Sequence, residues 1–374
     1  MNKVARILCT RYLSENNGHT IGGVQSYVES LISVFIELGY DVILYQFSAP
    51  LSNETFQINK DGYTIIGVKN AKKTKDLLDF IVKHHNPDYE NDFLVFSTDY
   101  MIEKNQYKKS VAIQHGIAWD ITKDEYASDI YNYYFILKAM LRTIKKFRKY
   151  KYCNNLVCVD YNFVNWYRTQ IAYIKNDLYV IPNYARCLEK VKKKNCSMPS
   201  IVFARRLVDY RGTKLFVRAI TNLLIKHPDI KVTIAGTGPD EAWMREKLLE
   251  FSQVEFTKYE ALDSIEFHSK FDIAIVPSTG SEGTSLSLLE AMAAGCAVVA
   301  TNVGGMTNII IDEYNGRIVR PSWLELENAI EDLLINENKR KKIAEIGKKT
   351  VEEAFSFQRW KESWSRLILQ IQQE

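Results

Sequence analysis

The chain has 374 residues, of which 46% are hydrophobic, 25% charged and 12% aromatic. That length predicts two domains with a buried core each, and the balance excludes a disordered, collagen-like or coiled-coil chain. A net charge of +4 is too weak over this length to signal nucleic acid as a partner.

In chain order, Val4–Cys9 reads as a first strand. It is too short and too interrupted for a signal peptide. Gly22-Gly23-Val24 opens a helical pattern to Leu38, apolar at 24, 28, 31, 32, 35 and 38, with a stop at Gly39. Strands follow at 41–45, 93–96, 110–113, 156–159 and 178–181. Runs apolar on both faces and separated by helices predict a parallel sheet covered on both sides. Residues 185–199 read as a linker, with Lys190, Lys192, Lys193 and Lys194 in a stretch without apolar periodicity.

The pattern then restarts. Strands are expected at 200–204, 230–235, 271–276 and 297–300, with helices at 212–226, 241–251 and 285–294. A last helix, 355–374, carries Trp360, Trp364, Leu367 and Ile368 at helical spacing. The expected fold is α/β, with one doubly wound Rossmann-like domain at 1–184 and a second at 200–354. In such sheets ligands bind at the carboxyl ends of the strands, and a cleft between two such domains is the default site.

Six cysteines at 9, 153, 158, 187, 196 and 296 form no C-x-x-C pair. Their gaps suit neither zinc nor a compact disulfide framework, so free thiols in a reducing compartment are expected. No run reaches the ~18 to 20 apolar residues that span a bilayer. The expected location is cytoplasmic, with peripheral contact at the inner face of the plasma membrane.

The strongest chemical signal is Glu282-Gly283-Thr284-Ser285-Leu286-Ser287-Leu288-Leu289-Glu290. Two carboxylates stand eight positions apart across the start of a helix. Gly283, Thr284 and Ser285 between them are small enough to let backbone N–H groups face a ligand. A helix N-terminus favours phosphate, and carboxylates beside it can accept from sugar hydroxyls. Alone, the pair is equally consistent with Ser285 as an ordinary N-cap and Glu290 as a solvated helix residue. Upstream, Arg205-Arg206-Leu207 ends a strand and Arg211-Gly212 opens a helix. Arg206 and Arg211 are spaced to clamp a diphosphate, or are two surface arginines. Gly236-Thr237-Gly238-Pro239 is a weaker signal, compatible with a plain turn.

In this order these residues resemble the retaining family-4 glycosyltransferases (glycosyl transferases group 1) of the GT-B fold. The matching elements are Arg206-Leu207 with Arg211-Gly212, Ile234 to Pro239, Pro277-Ser278 and Glu282 to Glu290 as an E-x7-E motif. Residues 291–301, Gly304-Gly305 and Asn315-Gly316 with Val319 continue the match. Gly22-Gly23-Val24, His115-Gly116 and Ile181-Pro182-Asn183 extend it thinly into the first half. Thr284-Ser285 and Arg211 stand where the family has an aromatic-glycine pair and a lysine.

The resemblance implies two Rossmann-like domains facing a central cleft, the first binding the acceptor and the second the donor. It also implies transfer of a sugar from a nucleotide-diphosphate donor with retention at the anomeric carbon. Glu290 would hold the ribose hydroxyls and Glu282 the donor sugar's hydroxyls. Arg206 and Arg211 would hold the diphosphate, and Gly22, Gly23, Gly236 and Leu286 would lie along the donor. His115 would sit near the transferring sugar. The position of His115 at a strand end also favours the cleft, with a structural histidine as the alternative. No Asp-x-Asp element stands near the motif, so neither a metal nor a cofactor is expected in the chemical step. The rival functions are a sugar-nucleotide epimerase or phosphorylase on the same fold, and a non-catalytic nucleotide- or glycan-binding protein.

From 135 to 152 the sequence is basic and lacks acids. Leu137, Met140, Leu141, Ile144 and Phe147 recur at helical spacing, opposite Lys138, Arg142, Lys145 and Lys149, with Lys146 adding to the charge. A basic amphipathic helix lies on an anionic bilayer, or packs its apolar face on the core and leaves the basic face solvated. Membrane contact would make the acceptor a lipid-linked glycan in bacterial lipopolysaccharide, capsule or teichoic acid assembly.

Overall fold

The structure is a computed structural model that describes residues 3–13, 22–48, 54–116, 133–170, 177–187, 199–260, 263–280 and 282–374. The chain divides into two compact units. Met1–His115, Tyr131–Ile181 and Trp360–Glu374 build the first, and Pro182–Arg359 most of the second. The expected linker at 185–199 falls mostly outside the described residues, which break off after 187 and resume at 199.

The first unit is one sheet of β1 (Val4–Cys9), β2 (Asp41–Phe47), β3 (Phe56–Lys60), β4 (Tyr63–Val68), β5 (Phe93–Phe96), β6 (Lys109–Gln114), β7 (Asn155–Cys158) and β8 (Asp177–Val180). Their order is β3-β4-β2-β1-β5-β6-β7-β8. Every pairing is parallel except β3 with β4. β5 and β7 are buried at every residue, as a sheet covered on both faces requires. The helices are α1 (Gly23–Glu37), α2 (Thr74–His85), α3 (Tyr133–Tyr150) and α4 (Tyr161–Gln170). α1 buries Tyr27, Val28, Leu31, Ile32 and Phe35, the face expected from its spacing. The β3–β4 hairpin was not among the expected strands. Its signal is the Asp61-Gly62 turn between Lys60 and Tyr63, with Gly62 at φ +84.

The second unit is an all-parallel sheet of β9 (Ser200–Ala204), β10 (Lys231–Ala235), β11 (Val254–Thr257), β12 (Ile273–Val276), β13 (Ala297–Thr301) and β14 (Arg317–Val319). The strand order is β11-β10-β9-β12-β13-β14. Ile201 and Phe203 of β9 belong to one core cluster and Val202 and Ala204 to another, so the sheet is buried on both faces. α5 (Thr213–Lys226), α6 (Glu241–Lys247), α7 (Ser264–His268), α8 (Leu286–Ala293), α9 (Trp323–Ile335) and α10 (Glu337–Ala354) surround it. The sequence direction of the order reverses between β9 and β12. Chains leaving the carboxyl ends of those two strands turn away from each other and leave a crevice.

The last helix, α11 (Phe357–Gln373), is separated from α10 by a short break. There Ala185 donates to the Phe355 carbonyl and accepts from Phe357, which draws the chain out of helix. Beyond it, Trp360, Trp364, Leu367, Ile368 and Ile371 are buried. Trp364 Nε1 donates to Tyr27 Oη at 2.8 Å, within the first unit. Trp364→Ala should therefore lower unfolding free energy by about 3 to 5 kcal/mol, and Tyr27→Phe by about 1 kcal/mol. Urea unfolding measures both; a Trp364→Ala midpoint equal to wild type would remove α11 from this core.

Candidate active site

The reversal between β9 and β12 gathers the charged groups of the second unit. β9 delivers Arg205 directly after Ala204, and β12 delivers Pro277 and Ser278 and then Glu282. Arg205 and Arg211 both pair with Glu282 Oε1. Arg205 also donates to Ser278 Oγ at 2.6 Å, and Ser278 Oγ donates to Glu282 Oε1 at 2.6 Å. Burial works to raise the Glu282 pKa, but the charges of Arg205 and Arg211 outweigh it and hold the group below the ordinary glutamate value. Two guanidinium groups against one ionised carboxylate leave one positive charge.

The loop around Glu282 is tight. Gly304 sits at φ +54, and a Cβ there would lie 2.1 Å from the Glu282 carbonyl oxygen. That same oxygen accepts from Gly305 N–H at 3.1 Å. Gly212, after Arg211, sits at φ +80, where a Cβ would lie 1.7 Å from the Pro277 carbonyl oxygen. No other residue fits either position without moving the loop.

The clamp expected at Arg206 and Arg211 is arranged differently. Arg206 is exposed and donates to Tyr210 Oη at 2.8 Å, while Arg211 stacks over the Tyr210 ring at 5.1 Å. Consecutive residues leave a strand on opposite sides, so only one of Arg205 and Arg206 can turn toward Glu282. Glu282 itself, expected to face sugar hydroxyls, has Oε1 committed to Arg205, Arg211 and Ser278. Gly283 and Thr284 are buried, and the Thr284 carbonyl accepts from Asn183 Nδ2 at 2.6 Å. Ser285 takes the N-cap position of α8 without a side-chain cap bond, and Leu286 begins the helix. Gly236 follows β10, and its N–H donates to the Thr257 carbonyl at 3.1 Å.

Glu290, in α8, occupies a different environment. It is half-buried, and Oε2 accepts from Ser264 Oγ at 2.6 Å. Desolvation pushes its pKa up to about 7 against the pull of that hydrogen bond. Tyr259, stacked on Phe267 at 4.5 Å, interacts electrostatically with both Glu290 and Arg205, and burial pushes its pKa up to about 12. Ser264 and Tyr259 carry no local motif. Ser264 reaches Glu290 through the packing of α7 on α8, and Tyr259 comes from the segment before α7, which sequence spacing does not disclose.

In the first unit, Gly22 is the extended N-cap residue of α1 and Gly23 its first residue. His115 follows β6. Its Nε2 lies 2.9 Å from the Ser97 carbonyl, and its ring meets Tyr27 edge-on at 5.1 Å. A carbonyl only accepts, so Nε2 carries the proton and Nδ1 is left as an acceptor. Burial lowers the His115 pKa, which keeps the ring neutral.

α3 does not pack its apolar row on the core. Leu137, Met140, Leu141 and Ile144 are exposed, and Arg142, Lys145 and Arg148 are exposed with them. Phe147 alone of the apolar set packs inward, on Trp166 and Tyr167. Lys146 is turned to Asp99 at 2.7 Å and Lys149 to Glu103 at 3.3 Å, so these two serve the unit's own acids. The Lys138 side chain lies outside the described residues. No helix among the described residues is long and apolar enough to cross a membrane.

Residues 188–350 match the family model for glycosyl transferases group 1. An uncharacterized glycosyltransferase of Methanocaldococcus jannaschii is 27% identical over 267 residues, 68% of this chain and 66% of that protein. The chain spans about two fifths of the length of two further relatives from the same organism, at 41% each. Among solved structures, a sucrose-phosphate synthase from Thermosynechococcus elongatus superposes with a TM-score of 0.75 at 16% identity, covering 99% of both chains. Anabaena HepE, solved in complex with UDP-glucose, superposes at 0.71 with 13% identity, covering 98% of this chain and 99% of its own. The fold is GT-B, and the resemblance to group 1 glycosyltransferases holds in the half that contains Glu282 and Glu290.

The Glu290 carboxyl binds a proton more tightly in the folded chain than in the unfolded one. Its burial then costs nothing below the unfolded pKa of 4.5, and the cost grows as pH rises toward about 7. Wild type should lose stability across that window, and Glu290→Gln should lose less. Urea midpoints at either end of the window check this; parallel pH profiles for the two proteins would contradict the environment described for Glu290.

Proposed function

We propose that this chain, with a group 1 glycosyltransferase domain over 188–350 on a GT-B fold, transfers a sugar from a nucleotide-diphosphate donor to a glycan acceptor with retention. The observation that carries the reading is the surplus positive charge at Arg205, Glu282 and Arg211, set where the strand order reverses. The bond from the anomeric carbon to the diphosphate oxygen breaks, and the diphosphate gains negative charge. The acceptor oxygen bonds to that carbon on the same face, and its proton passes to the departing phosphate oxygen. A fixed cation aimed at the leaving group lowers the barrier, because it needs no reorganisation as charge develops. Arg211, partly exposed, is the inner cation in this reading, and Arg206 beside Tyr210 the outer one.

Glu290 takes the ribose hydroxyls, and Ser264 orients its carboxyl. Gly236, Gly283, Thr284, Ser285 and Leu286 lie along the donor, and Glu282 meets the donor sugar. In the first domain, His115 offers a hydrogen-bond acceptor at Nδ1 of its neutral ring, and Gly22 and Gly23 open α1. The charge stabilisation comes from arginine, so the chemical step needs no metal. Thermal-shift screening of nucleotide sugars should identify the donor, and NMR of the product should show the donor's anomeric configuration. Inversion would overturn retention. Glu290→Ala should weaken nucleoside diphosphate binding by about 1 to 3 kcal/mol. EDTA should leave turnover largely intact, and loss restored by a divalent ion would contradict the metal-free step.

The exposed apolar row of α3, flanked by Arg142, Lys145 and Arg148, supports peripheral contact with an anionic bilayer and hence a lipid-linked acceptor in surface polysaccharide synthesis. Each such cation adds about 1 kcal/mol near an anionic surface. Cosedimentation with anionic vesicles should be strong, should fall with salt, and should vanish when these three are reversed to Glu. Equal sedimentation of the reversed variant would leave α3 as a solvated helix.

A further inference from the structure

Arg205 enters the donor chemistry described so far only through the charge it adds, with no contact to the donor assigned to it. Its side chain is 4% exposed, against 24% for Arg211. Glu282, between them, is 6% exposed. A closed ring of hydrogen bonds joins Arg205 to Ser278, Ser278 to Glu282 and Glu282 back to Arg205. Ser278 is fully buried and is itself fixed from behind, where Thr301 Oγ1 donates to its carbonyl at 2.5 Å. Arg205 therefore sits behind the carboxylate and cannot be the group that meets a ligand arriving from solvent.

We propose that Arg205 is a positioning residue: it neutralises Glu282 from behind, so that the charge of Arg211 stays available to a nucleoside diphosphate. The inference rests on the donor reading above. With Arg205 present, the pair Arg205–Glu282 sums to zero and Arg211 faces the ligand as a net cation. With Arg205 removed, Glu282 has Arg211 as its remaining ion-pair partner, and the diphosphate has to compete with a buried carboxylate for that charge. Arg205 thus sets the affinity for an anion it does not touch.

The test uses the full-length protein and calorimetry with UDP, GDP and ADP, followed by the tightest binder. Arg205→Met should weaken that binding by at least about tenfold. Adding Glu282→Gln to Arg205→Met removes the competing carboxylate as well as its neutraliser, and affinity should return to within about threefold of wild type. A residue that contacts the diphosphate directly would leave the double variant as weak as the single one, and that result overturns the proposal. Unchanged binding in Arg205→Met overturns it too.

The double variant removes both members of a buried pair, which proteins tolerate better than one unpaired charge. Should Arg205→Met not fold, Arg205→Lys carries the test. A lysine keeps the neutralising charge while losing the two-pronged guanidinium, so the proposal requires near wild-type affinity, and a tenfold loss would overturn it. Wild-type protein that binds none of the three nucleotides would instead sink the donor reading itself, a result distinct from any of these.

Discussion

A carboxylate removed from water must be matched by opposite charge, and Glu282 is matched twice. Leaving it buried alone would cost several kcal/mol, by the usual penalty for an unpaired buried ion. Arg205 and Arg211 reach it from the two ends of one strand-to-helix connection, and Ser278 reaches it from the neighbouring strand. The arrangement exists only where β9 and β12 lie side by side, because the connections that leave those two strands supply every member. The sheet order is thus what brings Glu282 beside Arg205 and Arg211 as one charged group. The closeness of Gly304 to the Glu282 backbone, and of Gly212 to Pro277, follows from packing these loops into the same crevice.

The two carboxylates of the E-x7-E segment are set in opposite environments. Glu282 is held ionised by cations. Glu290, eight residues on, has a serine hydroxyl for a partner and no ion pair among the described residues, so burial drives it toward the neutral form. One side of the site thus presents surplus positive charge and the other a carboxyl that titrates near neutrality. A nucleoside diphosphate has the complementary halves, an anionic diphosphate and a ribose whose hydroxyls are hydrogen-bond donors.

Most of this was legible in the sequence at the level of elements. Apolar runs of four to six residues between amphipathic segments gave away most of the parallel strands, though not β11, whose residues are only partly buried, and the small residues between Glu282 and Glu290 marked the loop before α8. The β3–β4 hairpin passed unread although Asp61-Gly62 signals it, because its strand residues are polar on the solvent side and mimic a loop. The choice between Arg205 and Arg206 was not legible. Both are arginines at a strand end, and which one turns inward is decided by the strand's side-chain alternation against a three-dimensional partner. Ser264 and Tyr259 were hidden for the same reason, since α7 and the segment before it come near Glu290 only through tertiary packing. The α3 lysines show the converse error. Spacing put Lys149 on a solvent face and counted Lys146 among the free charge, yet Asp99 and Glu103 draw both inward.

In the proposed reaction, the charge left over at Arg205, Glu282 and Arg211 receives the diphosphate of the donor. A crystal structure of the protein with a bound nucleoside diphosphate tests it most directly. Phosphate oxygens should lie within hydrogen-bond distance of the Arg211 guanidinium and ribose hydroxyls at Glu290, with Arg205 still paired behind Glu282. A diphosphate bound away from Arg211, with the ion pairs to Glu282 undisturbed, would contradict it.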